Sequence, residues 1–404
     1  MRRMMPAGVI FALLLVAPAR AQMPVTKVPV HMLGPILARS AVTFDTLVNV
    51  HALSDGRVVV NDILGRRLVS LDRTLTKMTV IADTSATSPR PYTNETTLLP
   101  YVGDSLMLLD FRAAALVVVE PSGRFGRVSS PPKTSDLQNI GISTILGAAG
   151  FDQRGRILYA SVPLSVIPRG CTPAPTKAVP DSATLVRGDF DTRTVDTLAR
   201  FKFVMVGMVN EQTQPGCWQW RNQLGVLPFH GDDWAVFPDG TIAIVREQDY
   251  HIDWIAPDGA RTSTPKMPFD WRRITSEDKQ RMVDSVTHIQ DSTLKSRPIP
   301  PNAPPGFKWS GLPIVTPAGI PDYYPPLVPG SVKVDRDGNL WIPPSTSNDA
   351  RGGLLYDVVN RKGAVIDRVQ LPAGRSLAGF GPGVVVLKAR EGMKTLVELA
   401  KVRE

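Results

Sequence analysis

The chain has 404 residues, with 43% hydrophobic and 21% charged side chains, 37 prolines, two cysteines and a formal net charge of +9. That balance excludes a collagenous chain, a wholly disordered one and a small disulfide scaffold, and the length points to two domains or a modular array. Basic and acidic residues interleave without a Lys/Arg run of five, so the concentrated basic surface of a nucleic-acid binder is absent.

Residues 1–21 read as a secretory signal peptide. Arg2 and Arg3 form a basic start, residues 9–16 an apolar stretch, and Ala19-Arg20-Ala21 a small-x-small cleavage site. The apolar stretch is too short to span a bilayer, and no 18-residue apolar run follows it. The expectation is an exported protein, periplasmic or secreted, with no transmembrane segment. Residues 22–41 follow as an N-terminal segment. Within it residues 25–30 have strand character and are expected to close the last repeat as its outer strand; a disordered tail is the alternative.

From residue 42 to 404 the chain repeats one pattern. Short period-2 apolar runs alternate with turns at 53–81, 102–128, 151–162 (resuming at 183–201), 237–263, 334–344 (continuing at 352–371) and 381–402. Asp-Gly pairs at 55–56, 239–240, 258–259 and 337–338 suit tight hairpins, because both residues tolerate positive φ. Six copies of about 40 residues match a radial array better than a sandwich. The fold class is therefore all-β: a six-bladed β-propeller with four-stranded antiparallel blades.

Three insertions fall in connections that share one face of such a ring. Residues 162–181 carry Cys171 and 203–231 carry Cys217, so a Cys171–Cys217 disulfide is expected in an oxidising compartment, with two free thiols as the alternative. The longest, 265–330, lies between blades four and five. Its first half reads as an amphipathic helix over 274–294, with Thr275 or Ser276 as N-cap and Met282, Val286 and Ile289 as a stripe. Its second half is Pro-rich and carries Phe307, Trp309, Tyr323 and Tyr324, which suits a packed lid, with Trp271, Arg272 and Arg273 anchoring it over the channel. Trp234, Trp254 and Trp341 sit on strands and are expected in the packing between blades.

The runs VDRDGNLWI (334–342) and SDGRVVVND (54–62) resemble blades of the NHL, TolB and gluconolactonase-like propellers, over roughly residues 42–404. Gluconolactonase-like relatives hold a divalent cation at the channel mouth. The resemblance therefore implies Ca²⁺ or Mg²⁺ as an alternative cofactor, with Glu95, Asn139, His230, Asp232 and Asp233 as the polar residues near the inner strand tops; solvated strand ends are the competing reading.

No G-x-S-x-G, H-E-x-x-H, Walker A or G-x-G-x-x-G motif occurs. The connections on the insertion face carry both signs of charge and yield the candidate ligand residues Arg66, Arg112, Arg246, Asp249, Tyr250 and Arg272, although such loops equally form a salt-bridged rim. The reading is an exported, non-catalytic binding module that recognises a small ligand or an envelope protein partner on that face, without a cofactor. A metal-dependent hydrolase or lyase is the alternative.

Overall fold

The computed structural model describes residues 28–45, 48–90, 92–93, 96–145, 149–162, 170–175, 181–203, 208–227 and 231–402. The proposed signal peptide lies outside them. Two short strands come first, β1 (Val30–Met32) and β2 (Ile36–Arg39). Six sheets follow. Blade one is β3 to β6 (Val48–Ala52, Val58–Asp62, Arg67–Leu71, Met78–Ala82) and blade two is β7 to β10 (Thr96–Pro100, Leu106–Asp110, Ala115–Val119, Phe125–Ser129). Helix α1 (Asp136–Ile145), which the sequence pattern did not signal, leads into blade three, β11 to β14 (Gly150–Phe151, Ile157–Ser161, Ser182–Gly188, Val195–Lys202). A separate hairpin, β15 (Met208–Gln214) and β16 (Cys217–Asn222), precedes blade four, β17 to β20 (Asp233–Val236, Ile242–Arg246, His251–Ile255, Arg261–Ser263). Helix α2 (Ser276–Ser296) leads to blade five, β21 to β24 (Lys333–Val334, Leu340–Ile342, Leu355–Val359, Val365–Gln370). Blade six holds β25 to β27 (Arg375–Gly381, Val384–Glu391, Lys394–Ala400). The fold is a six-bladed β-propeller, as the repeat predicts.

Its hairpins follow from local chemistry. In the Asp-Gly turns Gly56, Gly240, Gly259 and Gly338 have φ between 79° and 91°, a region open to glycine. Asp55, Asp239 and Asp258 each accept the backbone N–H two residues on, at 2.9 Å.

The core is divided among the six blade interfaces. In β4, Val58 and Val60 pack toward blade six while Val59 packs toward blade two. In β8, Leu106 and Leu108 face blade one, and Met107 and Leu109 face blade three. In β18, Ile242 and Ile244 face blade three, and Ala243 and Val245 face blade five. In β22, Leu340 and Ile342 face blade four while Trp341 faces blade six, where it meets Phe380, with Tyr356 of its own blade beside it. Trp234 and Trp254 are likewise buried in the packing between blades. Alternate side chains of one strand thus enter successive cores, which makes these strands apolar on both faces.

The ring closes through β2, which pairs antiparallel with β27 as the outer strand of blade six. This differs from the expectation for residues 25–30. At its described end, Val30 begins β1, which pairs parallel with β24 as a fifth strand on blade five. The difference has an electrostatic component. Arg39 reaches Glu398, buried in β27, and Glu391, at 3.3 and 3.0 Å, and Arg375 meets Glu398 from the other side at 3.1 Å. Residues 25–30 carry no arginine to complete that pairing.

Cys171 and Cys217 form the disulfide, with Cα atoms 4.8 Å apart. It ties the blade-three insertion to β16, beside a pair of backbone hydrogen bonds exchanged by Thr172 and Trp218. In α2 the N-cap is Thr275, within a capping box closed by Asp278. None of the helix residues is buried, and Ile289 is 61% exposed. The insertion packs at its ends instead, through Met267, Ile274, Ile320 and Leu327.

Deleting residues 28–39 leaves the β27 edge unpaired and Glu398 with one arginine. We expect the unfolding midpoint to fall by roughly 5–10 °C and self-association to rise, read by calorimetry and size-exclusion chromatography.

Candidate functional site

A cavity of about 850 Å³ runs along the propeller axis. All six inner strands line it: β3, β7, β11, β17, β21 and β25. It reaches the turns that link first and second strands, including Tyr101–Ser105, Asp152–Gln153, Phe237–Pro238 and Asp335–Arg336. Those turns lie on the face opposite the insertions. No residue of 265–330 lines the cavity; the insertion packs at its ends into the core between blades four and five.

Its lining carries charge of both signs, with Lys333, Lys388 and Arg336 against Asp104, Asp152 and Asp335. Lys333 lies in β21, two residues before the turn that begins at Asp335. His51 holds the matching place in β3, two residues before Leu53. Gly150, Ala235 and Gly379 occupy corresponding positions and add little bulk; a Cβ on Gly379 would meet nothing within 4 Å. Lys388 comes from the second strand of blade six, opposite Ser376, and also reaches the cavity. Neither lysine forms an ion pair among the described residues. The indole N–H of Trp234, another lining residue, has no hydrogen-bond partner.

Burial holds the Lys333 ammonium below the usual lysine range, opposed by the nearby Asp233 carboxylate. Lys388 is lowered by burial and further by Lys333. His51 Nε2 lies 2.8 Å from the Leu98 carbonyl. A carbonyl only accepts, so the ring proton sits on Nε2, and Nδ1 remains an acceptor. Burial lowers the His51 pKa to about 4; the Leu98 bond opposes the shift, and Lys333 and Lys388 add to it. Next to it a polar network joins blades one and two: Asn49 Oδ1 accepts from Asn61 Nδ2, Thr97 Oγ1 and the Leu98 N–H. Tyr92 donates to Asn61 in the same network, and burial pushes its phenol up to about 12.

The carboxylates nearby are already engaged. Asp104 binds the Ser54 N–H, Asp152 pairs with Arg156 at 2.7 Å, and Asp335 accepts from Trp341 Nε1 at 3.0 Å. Asp233 is 2% exposed and accepts the N–H groups of Trp234, Val332 and Gly330, so it staples the end of the long insertion to blade four. Burial raises its pKa to about 6 against those bonds.

Of the residues implied as metal ligands, Glu95 and His230 lie outside the described residues. Asp232 is buried and accepts from the Lys202 and Glu247 N–H groups and from Arg246 at 2.8 Å. Asn139, on α1, caps the Val162 N–H. Among the described residues no group of three His, Cys, Asp or Glu side chains could hold a metal ion. The rim candidates divide. Arg246 is held between Asp232 and Asp253, Asp249 pairs with Lys266 at 2.6 Å, and Arg272 stacks 4.0 Å over the Tyr324 ring. Tyr250 is instead a core residue, 1% exposed and edge-on to Phe269. Arg66 and Arg112 are exposed and make no ion pair among the described residues.

The candidate residues drawn from the sequence do not include Lys333, Lys388 or His51. A signal exists: each lysine interrupts a strand whose neighbours are apolar, V-K-V at 332–334 and V-V-V-L-K-A at 384–389.

No protein-family model and no curated protein matches the chain. Among solved structures, virginiamycin B lyase from Staphylococcus aureus is 11% identical with a TM-score of 0.37, covering 87% of this chain and 94% of its own. A gluconolactonase from Xanthomonas campestris is 14% identical with a TM-score of 0.37, covering 92% and 96%. The PQQ-bound aldose sugar dehydrogenase from Streptomyces coelicolor is 12% identical with a TM-score of 0.39, covering 92% and 99%.

The His51 shift has a sign that can be tested. Its folded pKa of about 4 lies below the ordinary 6.5, so it contributes stability that is fully present above pH 6.5 and lost as pH falls through about 4. His51→Gln keeps a donor for Leu98 and removes the titration. Chemical unfolding from pH 7 to pH 4 should show the native protein losing up to about 3 kcal/mol relative to the variant.

Proposed function

We propose that the protein is an exported propeller that binds a small anionic ligand in its axial channel, within reach of the face opposite the insertions. One observation carries the reading: two lysines without ion-pair partners among the described residues line a single cavity. Buried charge without a bonded partner is costly, and a carboxylate or phosphate would relieve it. The disulfide supports an oxidising compartment. No helix among the described residues is long and apolar enough to cross a membrane.

The exposed Arg66 and Arg112 support a second reading, in which a ligand or an envelope protein docks on the insertion-side rim. Calorimetric titration with inorganic phosphate and with citrate separates the two. In the channel reading, Lys333→Ala and Lys388→Ala each weaken binding by at least about tenfold, and Arg66→Ala and Arg112→Ala leave it unchanged. The opposite pattern favours the rim. No uptake of either anion at millimolar concentration overturns the channel reading.

A further inference from the structure

The turns between first and second strands set a common level around the channel. In five blades the first turn residue donates its N–H to the carbonyl four residues on: Leu53 to Arg57, Tyr101 to Ser105, Asp152 to Arg156, Phe237 to Thr241 and Asp335 to Asn339. The residues just before these are Ala52, Pro100, Phe151, Val236 and Val334, each the last paired residue of its inner strand. In blade six the turn is tighter, and Phe380 holds that place, one residue before the Gly381–Val384 pair. All six are apolar, all six line the cavity and none is buried. Every blade thus contributes a partly exposed apolar side chain at one level, which makes an apolar collar. One residue deeper, roughly 3.4 Å along each strand, come Lys333 and His51 with the small Gly150, Ala235 and Gly379. On the outer side, at the turns, the lining holds Asp104, Asp152, Asp335 and Arg336. Asp104 binds the Ser54 N–H, Asp152 pairs with Arg156, and Asp335 accepts from Asn339 and the Trp341 indole. Arg336 is exposed and makes no ion pair among the described residues.

We propose that the channel takes an alkyl carboxylate, with its chain inside the six-residue collar and its carboxylate one level deeper, beside Lys333. The inference rests on reading the channel as an anion site and names the class of anion. Apolar surface left partly wet on all sides of a cavity gains free energy when an apolar body displaces that water. Phosphate can meet Lys333 but leaves the collar hydrated, whereas a carboxylate with a chain satisfies both levels at once. At the turn level Asp104, Asp152 and Asp335 outnumber Arg336, so a second anionic group at the outer end of the ligand finds no net attraction there. A single carboxylate on an uncharged chain fits that order of lysine, collar and mixed-charge mouth.

The test is calorimetric titration of the full chain with acetate, butyrate, hexanoate and octanoate, with inorganic phosphate alongside. Affinity should rise about fourfold for each methylene that the collar buries, and at least about tenfold from acetate to octanoate. The double variant Val236→Thr/Val334→Thr keeps both side-chain shapes and makes the collar polar. It should weaken octanoate at least about tenfold and retain phosphate binding, which also reports that the variant is folded. Lys333→Ala should weaken every member of the series alike, and Arg336→Ala should leave octanoate binding unchanged. Phosphate binding by the native chain, with no gain from acetate to octanoate, overturns the collar and leaves the anion site standing. A chain-length gain that survives the double variant, or octanoate binding lost in Arg336→Ala, places the ligand elsewhere and overturns the collar as well. Failure of the native chain to bind phosphate or any of the carboxylates overturns the two together.

Discussion

The structure depends on second strands that bury both of their faces. Each sends alternate side chains into the cores on either side, so no blade has an apolar core of its own and none can be left at an open end. Ring closure follows from this requirement. An unclosed sixth blade would expose Val386, Val397 and Leu399 together with the pairing edge of β27. The chain meets the requirement with β2 and with the arginine pair around Glu398. Once the ring is closed, six inner strand edges surround an axial space that none of the blade cores fills.

Polar groups sort themselves around that space by whether they find partners. On the insertion side Arg246 sits between Asp232 and Asp253, and Lys202 meets Glu247 at 2.7 Å. Such pairs largely offset their own desolvation and are reasons for rigidity rather than for ligand affinity. In the channel the balance is different. His51 avoids the cost by staying neutral, and Lys333 is partly relieved by Asp233. Lys388 has neither device. The unpaired groups, rather than the most numerous charges, mark the place where a ligand has something to contribute.

Much of the architecture was legible because hairpin chemistry and period-2 patterning are local. The Asp-Gly turns, the three strands of the last repeat and the Thr275 cap all follow from residues within a few positions of one another. The closing strand was not legible at that range. The ring closes with residues 36–39 rather than 25–30, and Arg39 there meets Glu398, some 360 residues away in sequence. Tyr250 illustrates the same limit. Its place beside Asp249 in a charged connection suggested a surface ligand, yet the chain there has φ of 39° and turns the ring into the core between blades four and five.

By itself, then, the sequence determined the repeat, the blade number, the cysteine pair on one face and the position of the long insertion, because each is encoded by short-range alternation and turn residues. Only the tertiary structure decided which strand closes the ring and that His51, Trp234, Lys333 and Lys388 line one cavity. Those four residues come from four different blades. Their meeting is a consequence of ring closure, which brings together residues that no local pattern relates.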